Sequence, residues 1–341
     1  MKLKCEENVP LSKYCTLGTG GFARFFFRAK NKQDVIDGLK FAKSKKLPVF
    51  VLGEGSNVVI DDNGFHGLVL KIEITGMEFE NDGQAKVGAG VSWDKFVKEA
   101  VNKNFSGIEC LSAIPGTVGT TPVQNIGAYG TEISNVIKEI HTIDRETFKE
   151  VIFQKEECAF GYRKSIFNSS KKNRYVITKV IFALIPKGTA NVSYQDLINY
   201  FGDKKPTLKE TRDGIIEIRT KKGHVAPPNG PRSVGSFFKN LIVKKEKFEE
   251  IKNKIKNQSG NWFWPQEDGT IKISAARLIE ESGFEKGLRF GNVGISPFHS
   301  LVLVTYDGAT STELMVLAKK IQGKIKNRFN IQLDIEPETL I

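Results

Sequence analysis

The sequence predicts an α+β protein built from more than one domain, on three observations. Its 341 residues exceed what one hydrophobic core supports, so two or three units of roughly 100–200 residues are expected. The first third alternates strand-like runs with helical periodicity, whereas residues 133–185 carry successive β-branched runs, the mark of antiparallel strands rather than a doubly wound sheet. A proline- and glycine-rich stretch, HVAPPNGPRSVG from His224 to Gly235, then marks a boundary, because proline offers no amide and glycine tolerates unusual backbone angles.

The elements follow in order. FARFFFRAK, from Phe22, reads as a short buried strand bracketed by Arg24, Arg28 and Lys30. From Gln33 to Lys46, Val35, Ile36, Leu39 and Ala42 fall on one helical face with lysines on the other. LPVFVLGEGSNVVI reads as strand, glycine turn, strand. Ser92 is placed to cap a helix over WDKFVKEAVNKNF, with Phe96, Val97, Ala100 and Val101 inward and Asp94 near the positive end of the dipole. VIKEIHTI, EVIFQ and RYVITKVIFALIP are the antiparallel strands, interrupted by the loop FGYRKSIFNSS. Beyond the boundary, helices are expected at 244–258, 274–282 and 311–328. The last opens on a capping box, Thr310 to Glu313, and carries Leu314, Leu317, Ala318, Ile321 and Ile325 toward a core.

Composition narrows the function. With 40% hydrophobic and 26% charged residues the chain reads as globular. Glu6 and Glu7 stand where a signal peptide needs an apolar run, and no segment approaches ~20 uncharged apolar residues, so a cytoplasmic protein without membrane insertion is expected. Cys5, Cys15, Cys110 and Cys158 lack metal or redox spacing and read as isolated buried thiols; no metal is expected. The net charge of +12 suits nucleic acid, small anionic ligands or solubility alone, and the lysines fall in short separate clusters without a nucleic-acid motif, which speaks against the first.

Five stretches carry chemistry. GEGSN, Gly53 to Asn57, lacks the third glycine and the helix of a dinucleotide fingerprint; alone it reads as a tight turn, though its amides could approach phosphate oxygens. IPGTVGTTPVQNIGAYG, Ile114 to Gly130, is long, rich in glycine and threonine and without charge, which suits an extended cofactor or a pyrophosphate bound by uncharged donors. In FGYRKSIF, Arg163 offers the fork that fits a carboxylate, or else snorkels over a sheet. GSFFKN holds Ser236 in neither a nucleophile elbow nor a triad, so locally it is a turn serine. Glu336, in EPE, stands near the C-terminus, where most acids are frayed.

In order and spacing, LGEGSN, IPGTVGTTPVQNIGAYG, FGYRKSIF, GSFFKN and EPE together resemble the UDP-N-acetylenolpyruvoylglucosamine reductase family over nearly the whole chain. NVSYQDL, around Tyr194, resembles the substrate-covering tyrosine loop of its type I branch. The resemblance implies an FAD-binding domain of the vanillyl-alcohol-oxidase type made of two α+β subdomains, 1–71 and 72–222, followed by an α+β substrate domain, 223–330, with 331–341 returning near the first. It implies FAD held by Gly53, Glu54, Gly55, Ser56 and Asn57 in one loop. In the other loop the implied FAD residues are Ile114, Pro115, Gly116, Gly119, Thr120, Thr121, Asn125, Gly127, Ala128 and Tyr129. NADPH would be the co-substrate. Arg163 would pair with the substrate carboxylate, Glu336 would polarise a developing enolate-like group, and Ser236 would act as general acid. Tyr162, Tyr194, Arg219, Lys222 and Asn240 would face the UDP-sugar, with His299 as a wall of the site. The implied partners are the UDP-sugar and NADPH, acting on a monomer. Two other readings compete: another FAD-dependent oxidase of this fold, which air alone would reoxidise, and a basic nucleic-acid-binding protein with steeply salt-dependent affinity.

Overall fold

The computed structural model describes residues 3–225 and 230–340; Pro227 and Pro228 of the boundary stretch lie outside the described residues. The chain divides into two compact units. One gathers Met1–Val9, Ala23–Gly55 and Phe65–Arg219, the other Pro10–Phe22, Ser56–Gly64 and Thr220–Ile341.

Among the described residues the first unit holds two larger sheets and two two-stranded ones. Strands β1 (Glu6–Pro10), β2 (Phe22–Ala29) and β3 (Val49–Leu52), with β5 (Phe65–Ile72), form a sheet of order β1-β2-β5-β3, in which β5 lies parallel to both β2 and β3. Strand β4 (Val58–Ile60) belongs to the second unit. Helix α1 (Lys32–Ser44) follows β2; Asn31 Oδ1 accepts from the Asp34 amide at 2.9 Å, and of the expected face Val35, Leu39 and Ala42 are buried while Ile36 is half-buried against the same core.

The second sheet is antiparallel, in the order β12-β11-β13-β7-β6. Its members are β6 (Met77–Phe79), β7 (Gln84–Gly88), β11 (Ile137–Asp144), β12 (Glu150–Gln154) and β13 (Tyr175–Ala183), and Ile140 stands opposite both Phe153 and Val180. Four two-residue strands, β8 (Phe105–Ser106), β9 (Gly127–Ala128), β10 (Thr131–Glu132) and β14 (Ile185–Pro186), pair β8 with β14 and β9 with β10. Helix α2 (Trp93–Asn102) buries Trp93, Phe96, Val97 and Ala100 in this core. The Ser92 hydroxyl makes no capping bond, contrary to the sequence expectation; the Ser92 backbone instead bridges to Thr117. Helices α3 (Gln195–Phe201) and α4 (Leu208–Lys221) complete the element order of this half, around a small core of Cys110, Tyr129, Leu197, Ile215 and Ile218.

The second unit holds the antiparallel sheet β15-β21-β20-β19, from β15 (Arg232–Ser236), β19 (Arg289–Phe290), β20 (Val293–Ile295) and β21 (Val302–Thr305). A smaller antiparallel sheet joins β16 (Leu241–Val243), β17 (Phe263–Pro265) and β18 (Ile271–Ile273). Helices α5 (Lys245–Lys252), α6 (Ala275–Glu281) and α7 (Ser311–Phe329) complete it, and β22 (Glu338–Leu340) runs parallel to β4. Helix α5 stops short of the expected 258: past Lys252 the amides of Lys254 and Ile255 turn to carbonyls three residues back, and the Glu281 carboxylate takes those of Lys256 and Asn257. The Thr310–Glu313 capping box forms as expected. Of the four free thiols, Cys110 and Cys158 are buried but Cys5 and Cys15 are only half-buried, a correction to the sequence reading. Among the described residues no helix is long and apolar enough to cross a membrane.

Candidate active site

The two glycine stretches meet inside the first unit. Strand β3 delivers the chain into Gly53, and a methyl group there would stand 2.6 Å from Thr120 Cγ2 and 2.9 Å from Thr117 Oγ1, so the loops approach to a distance only glycine permits. Glu54 Oε2 accepts from the Gly116 amide at 3.0 Å, a second tie between them. Thr117 and Thr120 form a reciprocal capping box that shapes one turn of 3-10 helix, and the Thr121 hydroxyl donates to Val118 O. Asn125 is buried and fully engaged: its amide donates to Glu132 Oε2 and Gly161 O, and its carbonyl accepts from Ser134 N. Gly127 and Ala128 pair with Thr131 and Glu132, so Tyr129 sits in the tight turn between β9 and β10. Ile114 is half-buried against the core and Pro115 is exposed. Gly119 and Ser56 are half-buried and Gly55 is buried; from Ser56 the chain belongs to the second unit, within which the Asn57 carbonyl accepts from the Glu338 amide.

Beside the loops lies a cleft of about 440 Å³, lined by Lys30, Glu54, Lys71, Ile72, Glu73, Thr75, Gly90 and Thr117. That volume falls within the roughly 300–1,000 Å³ of small-molecule and cofactor sites. The lining combines cations with carboxylates and hydroxyls, donors and acceptors that fit the phosphates and sugar hydroxyls of a dinucleotide. The uncharged binding chemistry read from the loop sequence is thus incomplete, because Lys71 reaches the first loop from β5 and donates to Gly53 O at 2.6 Å.

Tyr162 and Arg163 lie in a tight reversal closed by two backbone bonds between Gly161 and Lys164, each 3.0 Å. Arg163 takes φ +51, a left-handed conformation uncommon for arginine, and Asn168 Nδ2 holds its carbonyl. Its guanidinium lies 5.8 Å from the Tyr162 ring and 3.4 Å from Gly127 O. Arg219, on α4, hydrogen-bonds the Tyr129 hydroxyl, and its Nε is shielded from solvent without a hydrogen-bond partner among the described residues. Burial lowers the Arg219 pKa and pushes the Tyr129 hydroxyl up to about 12. Tyr194, half-exposed at the start of α3, packs edge-on against Tyr129 with ring centroids 5.7 Å apart. Sequence reasoning missed Arg212, which clamps both oxygens of Asp94 at 2.6 and 2.7 Å. Asp94 also accepts from the Ala113 amide at 2.6 Å, which anchors the residue before Ile114.

In the second unit, Gly235 takes φ +76 and Ser236 follows it, opposite Val302, across an irregularity in the β15–β21 register. Phe237 and Phe238 are fully buried, so the two aromatic rings anchor the serine's backbone. The Glu336 amide donates to Phe237 O at 3.0 Å, and Phe238 bridges to Ile335. Glu336 is therefore on ordered backbone beside the Ser236 segment, not on a frayed end. Asn240 Oδ1 accepts from the Ala275 amide at the start of α6. His299 Nδ1 accepts from the Leu301 amide, which leaves Nε2 as the protonated nitrogen of its neutral ring. Burial lowers its pKa, with Lys286 and Lys222 acting in the same direction against Glu280. The ring lies 5.7 Å from that of His224, and Lys222 is half-buried just after α4.

The pairing of a three-stranded parallel arrangement with an antiparallel sheet is the fold of vanillyl-alcohol-oxidase-type flavoproteins. Residues 23–146 match the family model described as FAD binding domain. A solved structure of p-cresol methylhydroxylase superposes with a TM-score of 0.54 at 11% identity, covering 97% of this chain and 85% of that one. The chain thus carries an FAD-binding domain on this fold. Residues 227–340 match the C-terminal domain of UDP-N-acetylenolpyruvoylglucosamine reductase. Reductases of that name from Thermobifida fusca and Pseudomonas putida are 38% and 37% identical to it, each over 99% of this chain and over 98% and 99% of their own. The Thermus caldophilus reductase structure shares the fold with a TM-score of 0.70 at 24% identity, over 99% of both chains. The chain belongs to the UDP-N-acetylenolpyruvoylglucosamine reductase family.

Proposed function

We propose that the chain uses NADPH and FAD to reduce the enolpyruvyl ether of UDP-N-acetylglucosamine enolpyruvate to UDP-N-acetylmuramate, a step of peptidoglycan precursor synthesis, with Arg163, Ser236 and Glu336 as its catalytic residues. FAD, when bound, supplies the hydride relay between the two substrates. Gly53–Asn57 and Ile114–Tyr129 would hold it, through close backbone approach and the polar cleft beside them. Arg163 binds the substrate carboxylate through its planar fork. Hydride addition to the methylene carbon leaves negative charge on the adjacent carbon, beside the carboxylate. Ser236 Oγ–H gives its proton to that carbon, completing C=CH₂ to CH–CH₃, and the serine oxygen recovers a proton from solvent. Glu336 polarises the enolate-like group as it develops. A serine hydroxyl is a weak acid, so position has to supply what acidity does not. Tyr162, Tyr194, Arg219, Lys222 and Asn240 bind the UDP-sugar, with His299 along the wall. Both substrates are small nucleotides, and the expected working unit is a single cytoplasmic chain, which light scattering checks.

The observation that supports the catalytic assignment is the 3.0 Å bond from the Glu336 amide to Phe237 O, which sets a hydroxyl and a carboxyl on neighbouring backbone. Ser236→Ala tests it. NADPH should still bleach the flavin at the parent rate, while reoxidation by the enolpyruvyl substrate falls by about 10²–10⁴-fold. Equal loss of both half-reactions would point to structural damage, and unchanged reoxidation would remove the serine from the chemistry. A protein that holds no FAD, or a reduced flavin that air reoxidises rapidly, would sink the reductase reading as a whole.

A further inference from the structure

Lys71 is chemically out of place. A central parallel strand is covered on both faces, and lysine is among the residues least often buried. In β5, Leu68, Val69 and Leu70 have no exposure and Ile72 almost none. Register sets Lys71 opposite Arg28 of β2 on one side and Leu52, the last residue of β3, on the other. The next residue after Leu52 is Gly53, and the ammonium donates to its carbonyl at 2.6 Å. Burial lowers the Lys71 pKa, with the carboxylates of Glu73 and Glu54 opposing the change.

That bond does more than satisfy the lysine. The Gly53 carbonyl and the Glu54 amide belong to one planar peptide and point in opposite directions, so holding the carbonyl decides which way the amide faces. The Glu54 carboxylate in turn accepts from Gly116 N, at the turn of the second loop. Lys71, Glu54 and Thr117 line the same cleft. A loop ordered before its ligand arrives binds it more tightly, because ordering is completed on folding rather than on binding.

We propose that Lys71 is a positioning residue for the cofactor, holding the Gly53–Asn57 loop in its FAD-receiving form without entering the hydride or proton steps. This rests on the reading that the two glycine loops cradle FAD, so the experiment separates the two ideas. Apoprotein is titrated with FAD and followed by quenching of flavin fluorescence, beside a thermal melt of the apo form. Lys71→Met should bind FAD about tenfold more weakly or worse. Its apo form should melt within a few degrees of the parent, since the change removes a single hydrogen bond made by a half-buried lysine. Lys71→Arg, which keeps charge and donors, should recover most of the affinity. Gly53→Ala is the loop control, because its methyl would press on Thr120. If Gly53→Ala loses FAD while Lys71→Met stays within about twofold of the parent, the lysine has no such role and the loop reading stands. If both stay within about twofold, both ideas fail. A Lys71→Met apo form that melts lower in proportion to its lost affinity would reduce the residue to fold support. Should the Met variant not fold, Lys71→Gln carries the same expectations.

Discussion

Asp94 shows how one residue can be half-legible in a sequence. Its position in the first turn of α2 gave it a dipole role, and that much needs only local spacing. Its partners do not follow from spacing: Arg212 is 118 residues away, and the Ala113 amide lies across a loop. Burial alone would raise the Asp94 pKa, but the Arg212 hydrogen bonds and the Ala113 amide outweigh it, and the group is held below its usual value. A carboxyl depressed on folding contributes stability above its unfolded pKa of about 3.9, and that contribution is lost as pH falls through the lower folded value. Asp94→Asn leaves Arg212, only 8% exposed, without its charge partner. Because Asp94 itself is partly exposed, the expected loss at pH 7 is about 1–2 kcal/mol, smaller than for a fully buried pair. Urea unfolding should show that gap at pH 7 and a narrower one as pH drops below about 4. A gap that persists undiminished in acid would mean the ion pair is not its source. The candidate catalytic residues divide the same way. Arg163 and Ser236 were visible as residue types in unusual stretches, whereas the contact of the Arg163 guanidinium with Gly127 O and the bond joining Phe237 to Glu336 arise from tertiary contacts.

Helix α7 carries the same lesson at the scale of an element. Its periodicity and its Thr310–Glu313 box could be read from neighbouring residues, and both formed. A second cap could not: Asp62, 249 residues before Ser311, accepts from the amides of Ser311 and Thr312 and from the Thr312 hydroxyl. A carboxylate at a helix N-terminus satisfies orphan donors and meets the positive end of the dipole. Burial would raise the Asp62 pKa, but those three hydrogen bonds lower it on balance. Asp62→Ala should therefore destabilise the second unit by about 1–2 kcal/mol, at least as much as Thr310→Ala, with the loss largest above the carboxyl's unfolded pKa. Denaturant midpoints of the two single variants and the double check this. If Asp62→Ala is silent, Thr310 alone caps the helix. Strand β22 could not be read from its own residues for a similar reason: three residues have no readable period, and their partner β4 precedes them by 280 residues in register, so only the family resemblance brought 331–341 back toward the early chain.

For the whole molecule, the α+β class, the antiparallel second sheet and the main helices were legible because they rest on periodicity and residue type, which are local. The makeup of the second unit was not, because it is assembled from three separated stretches of chain. Leu17 and Val59, from the two early stretches, are buried in the same core as Phe237, Leu303 and Leu314. Thr305 donates its hydroxyl to Leu17 O, Ser311 to the Thr19 hydroxyl oxygen, and β4 is the partner of β22. Those contacts predict how the C-terminal part behaves alone. A fragment of residues 220–341 would lack two buried aliphatic side chains worth about 1.5–3 kcal/mol each, together with the Asp62 cap and the pairing of β22. Set against a total stability of about 5–15 kcal/mol, that loss removes most of what a domain of this size has. The fragment should show helical content without a cooperative melt, and near-ultraviolet circular dichroism should report no fixed aromatic packing. Adding peptides of residues 10–22 and 56–64 should restore part of the transition. A sharp, cooperative melt of 220–341 by itself would mean that the early stretches dock onto a domain already complete, and that their buried leucine and valine fill surface grooves rather than its core.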